Sequence, residues 1–595
     1  MRTRLGGNMQ YESDITVIGG GMAGLCAAIA AARHGRTVAL VQDRPVLGGN
    51  ASSEVRMHIV GATRHGKRKN LRETGIIEEL LLENKYRNPE HSYGLFDTLL
   101  WEKVKKEKNI NLFLNTYVRD VKTENGRIVS VVGNQNTTEK EIEFISDVFI
   151  DCSGDGSVSA KAGADFMLGR EAKTTFNEPN AVEKADMITM GNSIQFRSLD
   201  AGHAVPFERP DWAYDYSNEA WAKNLNWEEI TSGYWWLEIG GTELNCVTDA
   251  ELTRDKMLKI IFGIWDYIKN YSDKKKEAEN YYLDWVSFLP AKRESRRITG
   301  DYVLTENDII ENRMFDDAIA YGGWHLDSHS PEGFYAFVNK TPQVEDRTIF
   351  FDGIYTIPYR CIYSKNVENL FLGGRIISTS HRAFSSTRVM ATCAIAAQAA
   401  GIAAAMASGN KARAADVNVK SLQQALLKDG CYIPNVKNED SNDFALKAEV
   451  SCSSYTDGNE CRNVINGISR PVGNSSNMWA SLPEDKNPWI MLTFDKPQRI
   501  TETVITFDSN LSVEIMISLS KWHHVRQARG IPDTIVKKYT VTYIHNGSIV
   551  NEVSINGNHQ RMNTIESDVV CDSIKITVNE TNGCDQARIC EIRVY

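Results

Sequence analysis

Gly19, Gly21 and Gly24 stand in DITVIGGGMAGLCAAIAAARHG, residues 14–35, where an apolar strand runs into a turn and then into an alanine-rich helix. That spacing suits a phosphate. Gly19 permits a tight turn, Gly21 lets a pyrophosphate approach the backbone, Gly24 lets the helix pack on the strand, and the phosphates rest against the helix N-terminus. A second strand, TVALV at residues 37–41, falls where a βαβ unit needs it, which separates the pattern from a chance run of turn glycines. The chemistry implied is the binding of a redox dinucleotide. About 20 residues past the glycines an acid is expected to hold the adenosine ribose. That position carries Gln42, with Asp43 next; Gln42 can still accept a ribose hydroxyl proton through its amide oxygen. The loop that follows, RPVLGGNASSEVRMH at residues 44–58, adds Arg44, Gly48, Gly49 and Asn50, and its donors suit a cofactor larger than NAD.

These residues need elements to hold them. Stretches 112–118 and 128–132 alternate like hairpin strands around Glu124-Asn125-Gly126, a turn signal of the Asn-Gly type, and Val118 at the end of the first is a cofactor-contact candidate. The apolar strand 147–150 enters DCSGDGS, where Ser153, Gly154 and Asp155 form a second glycine turn; a simple turn fits the same letters. A third turn follows the strand 369–372 at Gly373, Gly374 and Arg375. Beyond it Ser385, Ser386 and Thr387 are expected to cap a helix beginning near Arg388, whose N-terminus would stabilise an anion. Between the second and third turns, residues 162–352 lose the glycine pattern and gather Trp212, Trp221, Trp227, Trp235, Trp236, Trp265, Trp285 and Trp324. Indole faces stack on sugar rings, and they also fill cores.

With Lys plus Arg at 67 and Asp plus Glu at 77 the net charge is −10, which disfavours a general nucleic-acid binder. The basic run RHGKRKNLR, residues 64–72, reads as a solvated loop. No N-terminal signal peptide is visible, and the small-apolar run 391–407 is broken by Gln398 and Gly401, so no membrane span is expected and a cytoplasmic location is. Eleven cysteines show no CxxC pair and no metal or cluster spacing, so no metal is expected and most thiols read as buried hydrophobes.

Three separated blocks agree with one another: GGGMAG with RPVLGGNASSEVR; AKRESRRITGDYVLTENDI with YGGWHLDSHSPEG; and NLFLGGRIISTSHRAFSSTRVM with AAQAAG. Over residues 13–410 the chain resembles the FAD-dependent oxidoreductases of the glutathione-reductase-like superfamily, in the branch found beside carbohydrate-degrading genes. The resemblance implies FAD held through Gly19, Gly21, Gly24, Gly48, Gly49, Asn50, Gly154, Asp155, Gly374 and Arg375; Gln42 departs from the family's usual acid. Residues 445–595 change character to short alternating strands such as WIMLTF, KYTVTYI and SIKITV, which argue a jelly-roll β-sandwich. With ASLPEDKNPWIMLTF and the closing EIRVY this segment resembles a discoidin-type, galactose-binding-like module.

The expected fold is therefore an α/β FAD-binding Rossmann-like domain with an inserted α+β substrate domain, followed by an all-β jelly-roll sandwich. Its expected parts are 12–161 and 353–430 for the FAD domain, 162–352 for the insertion, 431–444 for a linker and 445–595 for the sandwich. In such an enzyme the flavin takes a hydride at N5 while the protein removes the accompanying hydroxyl proton, work for which histidine is best suited. His381 lies between the Gly374 turn and Arg388, and His329 comes from the insertion, so both are candidate bases. Arg388 is a candidate partner for the reduced flavin. Arg293, Arg296 and Arg297 fit either a substrate carboxylate site or a salt-bridge network, and Arg56 and His58 fit either the cleft or one exposed strand face. The leading expectation is oxidation of a hydroxyl of a sugar or glycoside, with the electron acceptor open. The alternatives are a flavin-dependent reductase of an unsaturated or keto acid, and a carbohydrate-binding protein with a vestigial flavin fold.

Overall fold

The structure is a computed structural model that describes residues 9–223, 229–232, 237–339 and 348–595. Its contacts divide the chain into two compact units. One runs through Gly61 and continues with His91–Val417 and Met516–Val525; the other comprises Ala62–Glu90, Asn418–Ile515 and Arg526–Tyr595.

The first unit is built on a mixed seven-stranded sheet. Strands β1 (Met9–Ile18), β2 (Val38–Val41), β3 (Ile110–Phe113), β4 (Thr116–Glu124), β5 (Arg127–Gln135) and β6 (Lys140–Asp151) lie in the order β3-β2-β1-β6-β5-β4, and Leu370–Leu372 also pairs with β6. The β1, β2, β3, β6 and Leu370–Leu372 pairings are parallel, and the VALV of β2 is buried throughout, as a strand covered on both faces should be. The β4–β5 hairpin turns at Asn125 and Gly126, with φ of 50° and 78°, the left-handed pair that a two-residue hairpin turn demands. The first hairpin strand starts later than expected and runs on to Glu124, because Leu112 belongs to the parallel strand β3 and the chain bends at Asn115, φ 53°.

Helix α1 (Met22–Arg33) follows β1 and packs against the helix Met390–Ala407. A Cβ on Gly401 would come within 2.2 Å of the Ala27 carbonyl oxygen, so small residues bring these two backbones into direct contact. The second helix is long and apolar enough to cross a membrane by length and composition, yet it is buried along nearly its whole length within the protein. Its hydrophobicity is that of a core element.

Within residues 162–352 Trp265 packs with Met257, Ile260, Ile261, Ile264, Trp221 and Phe334 in one core, while Trp324 joins Val60, Val389 and Met516 in another. Trp212 is exposed; Trp227, Trp235 and Trp236 lie outside the described residues.

The second unit is an antiparallel sheet in the order Trp479–Ala480, Arg588–Val594, Trp489–Phe507, Met562–Thr581, Val536–His545, Ser548–Asn556, with Glu449–Cys452 also on Trp489–Phe507. The two longest strands change partners along their length: Trp489–Phe507 pairs with Glu449–Cys452 at one end and with Arg588–Val594 at the other. Trp479, Tyr539, Tyr543 and alternating Ile and Val residues fill the core. The basic run 64–72 is not a solvated loop. Arg64 and Arg72 are buried, and Arg72 donates to Glu78 at 2.7 Å and to the Ser509 carbonyl at 2.9 Å. The stretch read as a linker is also packed: Ile433, Asn438 and Asp443 are buried, and Asp443 accepts from the Val594 amide at 2.9 Å.

Candidate functional site

The β1–α1 turn carries out the three glycine tasks that its spacing prescribes. Gly19 has φ 105°, and a Cβ there would lie 2.1 Å from the Cys152 carbonyl oxygen. At Gly24 a Cβ would lie 1.8 Å from the Gly19 carbonyl, so the helix is pressed onto the strand end. Gly21 differs, since a Cβ there would meet only the Gly49 Cα at 3.8 Å. It opens α1 with no side chain capping it, which leaves the helix N-terminus approachable by an anion. Gly48 bonds to the Gly20 carbonyl at 2.8 Å and bridges Gly21, and Gly49 comes so near that its Cβ would be 3.1 Å from the Gly21 Cα. Gly374, φ 85°, faces Ala23 of the same helix.

Gln42 corrects one expectation. Its Oε1 accepts from the Gly20 amide at 2.6 Å and its Nε2 donates to the Val46 carbonyl at 3.2 Å. The side chain is buried and holds the glycine loop, so its amide oxygen is engaged and does not await a ribose. Asp43 beside it is exposed, and Arg44 reaches Glu54 at 3.7 Å. Val118 is buried within β4.

Asp155 is held by two cations, Arg375 at 2.8 Å and Lys292 at 2.6 Å. Burial opposes its ionisation, but Arg375 and Lys292 outweigh that and keep its carboxyl below the ordinary value. Gly154, φ 78°, leaves room for the Arg375 guanidinium, which a Cβ would approach to 2.8 Å. The Ser153 amide donates to Asp151 at 2.9 Å, and the Asn50 amide reaches the Lys292 carbonyl at 3.3 Å. Thus the turns at 19–24, 48–50, 153–155 and 374–375 share neighbours, and Lys292 joins them through Asp155 and Asn50. These residues fit FAD. The bare Gly21 face and uncapped helix suit a pyrophosphate, and the Arg375 Nε is buried with no hydrogen-bond partner, a donor that an anionic ligand would satisfy.

His381 opens a short helix, His381–Thr387, capped by Ser380, whose hydroxyl accepts from the Ala383 amide. The expected cap at Ser385, Ser386 and Thr387 is therefore displaced. Those residues lie inside this helix, Arg388 ends it, and Met390–Ala407 starts afresh with no side-chain cap. His381 is buried; its Nδ1 lies 2.8 Å from Glu294 Oε1 and its amide donates to Glu171 at 2.8 Å. Glu294 is fully buried, receives Arg297 at 2.6 Å and the Met190 amide at 2.9 Å. Burial opposes the Glu294 charge, but His381 and Arg297 overcome it and hold the carboxyl below its ordinary value. With Nδ1–H donated to that carboxylate, Nε2 would be the acceptor; Asp186 also feels the His381 ring.

His329 sits in a second chain of charges. Its Nδ1 is 2.9 Å from Glu238 Oε1 and its Nε2 3.4 Å from Asp327. Burial pulls its pKa down, but Glu238 and Asp327 outweigh burial and raise it above the ordinary imidazole value. Glu238 also holds Arg293 at 2.6 Å, and Asp327 holds Arg388 at 3.3 Å. Arg388 feels both Glu238 and Glu294, so the two histidine–glutamate pairs flank one guanidinium, whose buried Nε has no hydrogen-bond partner. The arginines of RESRRI form a salt-bridge network: Arg297 also meets Glu171 at 2.5 Å, and Arg296 donates to the Asp155 carbonyl at 3.0 Å. Arg56 and His58 do not alternate on a strand. Residues 52–60 form turns and coil, Arg56 has φ 59° and lies 4.1 Å over Trp285, and the His58 ring lies tilted against His523, centroids 4.5 Å apart.

The acids Glu238, Glu294 and Asp327 and the cation Lys292 escaped the sequence reading. Glu294 offered a signal, its place three residues before Arg297 inside RESRRI. Glu238 offered none, because its partners lie some 55 and 91 residues away.

One family model matches the chain, over residues 14–426, and describes a FAD dependent oxidoreductase. No curated relative matches. Among solved structures, a Streptococcus pneumoniae fucose binding module, SpX-3, is 14% identical with a TM-score of 0.21, covering 26% of this chain and 97% of its own. The family 32 carbohydrate-binding module from C. perfringens NanJ, solved with galactose, is 19% identical with a TM-score of 0.19, covering 26% and 96%. A chitosan-binding module from Paenibacillus sp. IK-5 is 14% identical with a TM-score of 0.19, covering 26% and 98%. Values this low leave any ligand of the C-terminal unit to be argued from its own residues.

Proposed function

Since the chain belongs to the FAD dependent oxidoreductase family, we propose that it oxidises a hydroxyl of a sugar or glycoside with His381 as the base. The observation that carries this reading is the buried Glu294–His381 pair, in which a carboxylate oxygen lies 2.8 Å from Nδ1 and can accept its N–H. When bound, FAD supplies the two-electron acceptor for the hydride released from the carbinol carbon, in this reading at N5. Gly19, Gly21, Gly24, Gly48, Gly49, Asn50, Ser153, Gly154, Asp155, Gly374 and Arg375 would hold it, with Lys292 added to that set. His381 takes the hydroxyl proton at Nε2, Glu294 stabilises the imidazolium that results, and Arg297 keeps Glu294 in place. His329, with a carboxylate at each nitrogen, is an imidazolium that anchors Asp327 and through it Arg388.

The finer architecture belongs to the same reading: a substrate region inserted over 162–352 and a jelly-roll sandwich from 445 onward. The rival acid reductase needs unengaged arginines to hold a carboxylate, whereas Arg293, Arg297 and Arg388 already have acidic partners. The intact Gly21 cradle speaks against a vestigial flavin fold. Anaerobic addition of a panel of free sugars and methyl glycosides to the yellow holoprotein should bleach its visible flavin band. A colourless protein, or a flavin that no sugar reduces, overturns the reading.

A further inference from the structure

The strand residue that follows Glu238 opens a cavity that the proposed oxidation does not use. It has a volume of about 390 Å³ and is lined by Ile239, Thr242, Glu243, Lys256, Glu332 and Tyr335, among others. That volume falls in the range of small-ligand pockets, ~300–1,000 Å³. Two segments build both this cavity and the His329 pair. Glu238 precedes Ile239 and Gly240, and His329 precedes Glu332 by three residues. They are locked together: a Cβ on Gly333 would lie 2.1 Å from the Glu238 carbonyl, and one on Gly241, φ 89°, would lie 3.1 Å from that of Pro331. The cavity wall and the charge network around Arg388 are therefore built from the same two chain segments.

Its lining is chemically specific. Glu332 Oε2 is buried with no hydrogen-bond partner, an acceptor whose desolvation cost only a donor can relieve. Tyr335 contributes a partly buried ring, and Thr242, Lys256 and Glu243 bring further polar groups to the wall. Two carboxylates against one ammonium leave the wall net negative, which repels phosphates and uronates. Hydroxyls that donate to carboxylates beside an aromatic face describe a neutral sugar ring.

We propose that this cavity is a subsite for a second, neutral sugar unit, so that the substrate is a disaccharide or longer glycoside rather than a monosaccharide. This rests on the sugar-oxidising reading and names its substrate class. The test uses the full-length holoprotein with lactose, maltose and cellobiose against methyl galactoside and methyl glucoside. Binding is measured by calorimetry and flavin reduction by anaerobic bleaching, in the wild type and in Glu332→Gln and Lys256→Met, each checked for native flavin content. At least one disaccharide should bind roughly tenfold or more tightly than its methyl glycoside, and both substitutions should bring that ratio towards one. A disaccharide ending in a uronate should show no such advantage. Sugars that reduce the flavin with no disaccharide advantage, or an advantage that both substitutions leave intact, overturn the subsite alone. A disaccharide advantage that depends on Glu332, with a flavin that no sugar reduces, upholds the subsite and overturns the oxidation.

Discussion

At the scale of single residues, function turns on which nitrogen of which histidine is open. His381 has one carboxylate at ion-pair distance from its ring and His329 has two, so in the proposed reaction the two imidazoles take opposite roles although both stand in the same charge network. Replacing His381 with Asn should slow flavin reduction by sugar by about 10²–10⁴-fold, measured by anaerobic stopped flow, with flavin content unchanged. The pH behaviour of His329 is a separate prediction. Its folded pKa is raised above 6.5, so the stabilisation it provides is complete below 6.5 and is lost as pH rises through the folded value. Thermal melts of the wild type should therefore show a loss of stability over that window, and Glu238→Gln should flatten it. A Glu238→Gln profile parallel to the wild type would refute the assignment.

At the scale of elements, backbone closeness does what side chains cannot. Gly24→Ala would force a Cβ to within 1.8 Å of a carbonyl oxygen, and such overpacking costs about 1–3 kcal/mol or more; the variant should purify with much of its flavin lost. The helix Ile76–Arg87 of the second unit carries the opposite kind of defect. Lys85 is buried, its Nζ has no hydrogen-bond partner, and burial pulls its pKa from 10.5 down to about 8. That difference corresponds to roughly 3 kcal/mol against the charged form. Lys85→Met should accordingly stabilise the protein by about 1–3 kcal/mol at pH 7 in urea unfolding, with the gain shrinking as pH climbs from 8 towards 10.5. The first glycine turn was legible in the sequence because the positive φ of Gly19 and the Gly24–Gly19 contact are fixed by spacing within one strand–turn–helix. The Ser385-Ser386-Thr387 cap was misread because Ser380 offers the same chemistry five residues earlier, and only packing chooses between them. Arg64 and Arg72 looked solvated for the same reason: partners such as Ser509 lie 437 residues on.

At the scale of the whole molecule, neither compact unit is a continuous piece of chain. Residues Ala62–Glu90 belong with the C-terminal sheet, and Met516–Val525 belong with the mixed sheet. The C-terminal unit is consequently not a removable appendage. A chain ending after residue 430 keeps Arg72 and Glu78 and loses Ser509 and Arg470, their partners; it should be insoluble or flavin-poor on expression, whereas a detachable module would leave a yellow, soluble remainder. The same interleaving sets a timetable for synthesis. At about 5–20 residues per second, Arg72 emerges some 20–90 seconds ahead of Ser509, 437 residues downstream. Through that interval Arg72 and Glu78, both buried at the end, lack the Ser509 groups that pair with them. The mixed-sheet unit in turn awaits residue 525 before its last segment exists. A nascent chain of this protein thus carries a buried-to-be arginine and glutamate, Arg72 and Glu78, without their C-terminal partner through most of its translation.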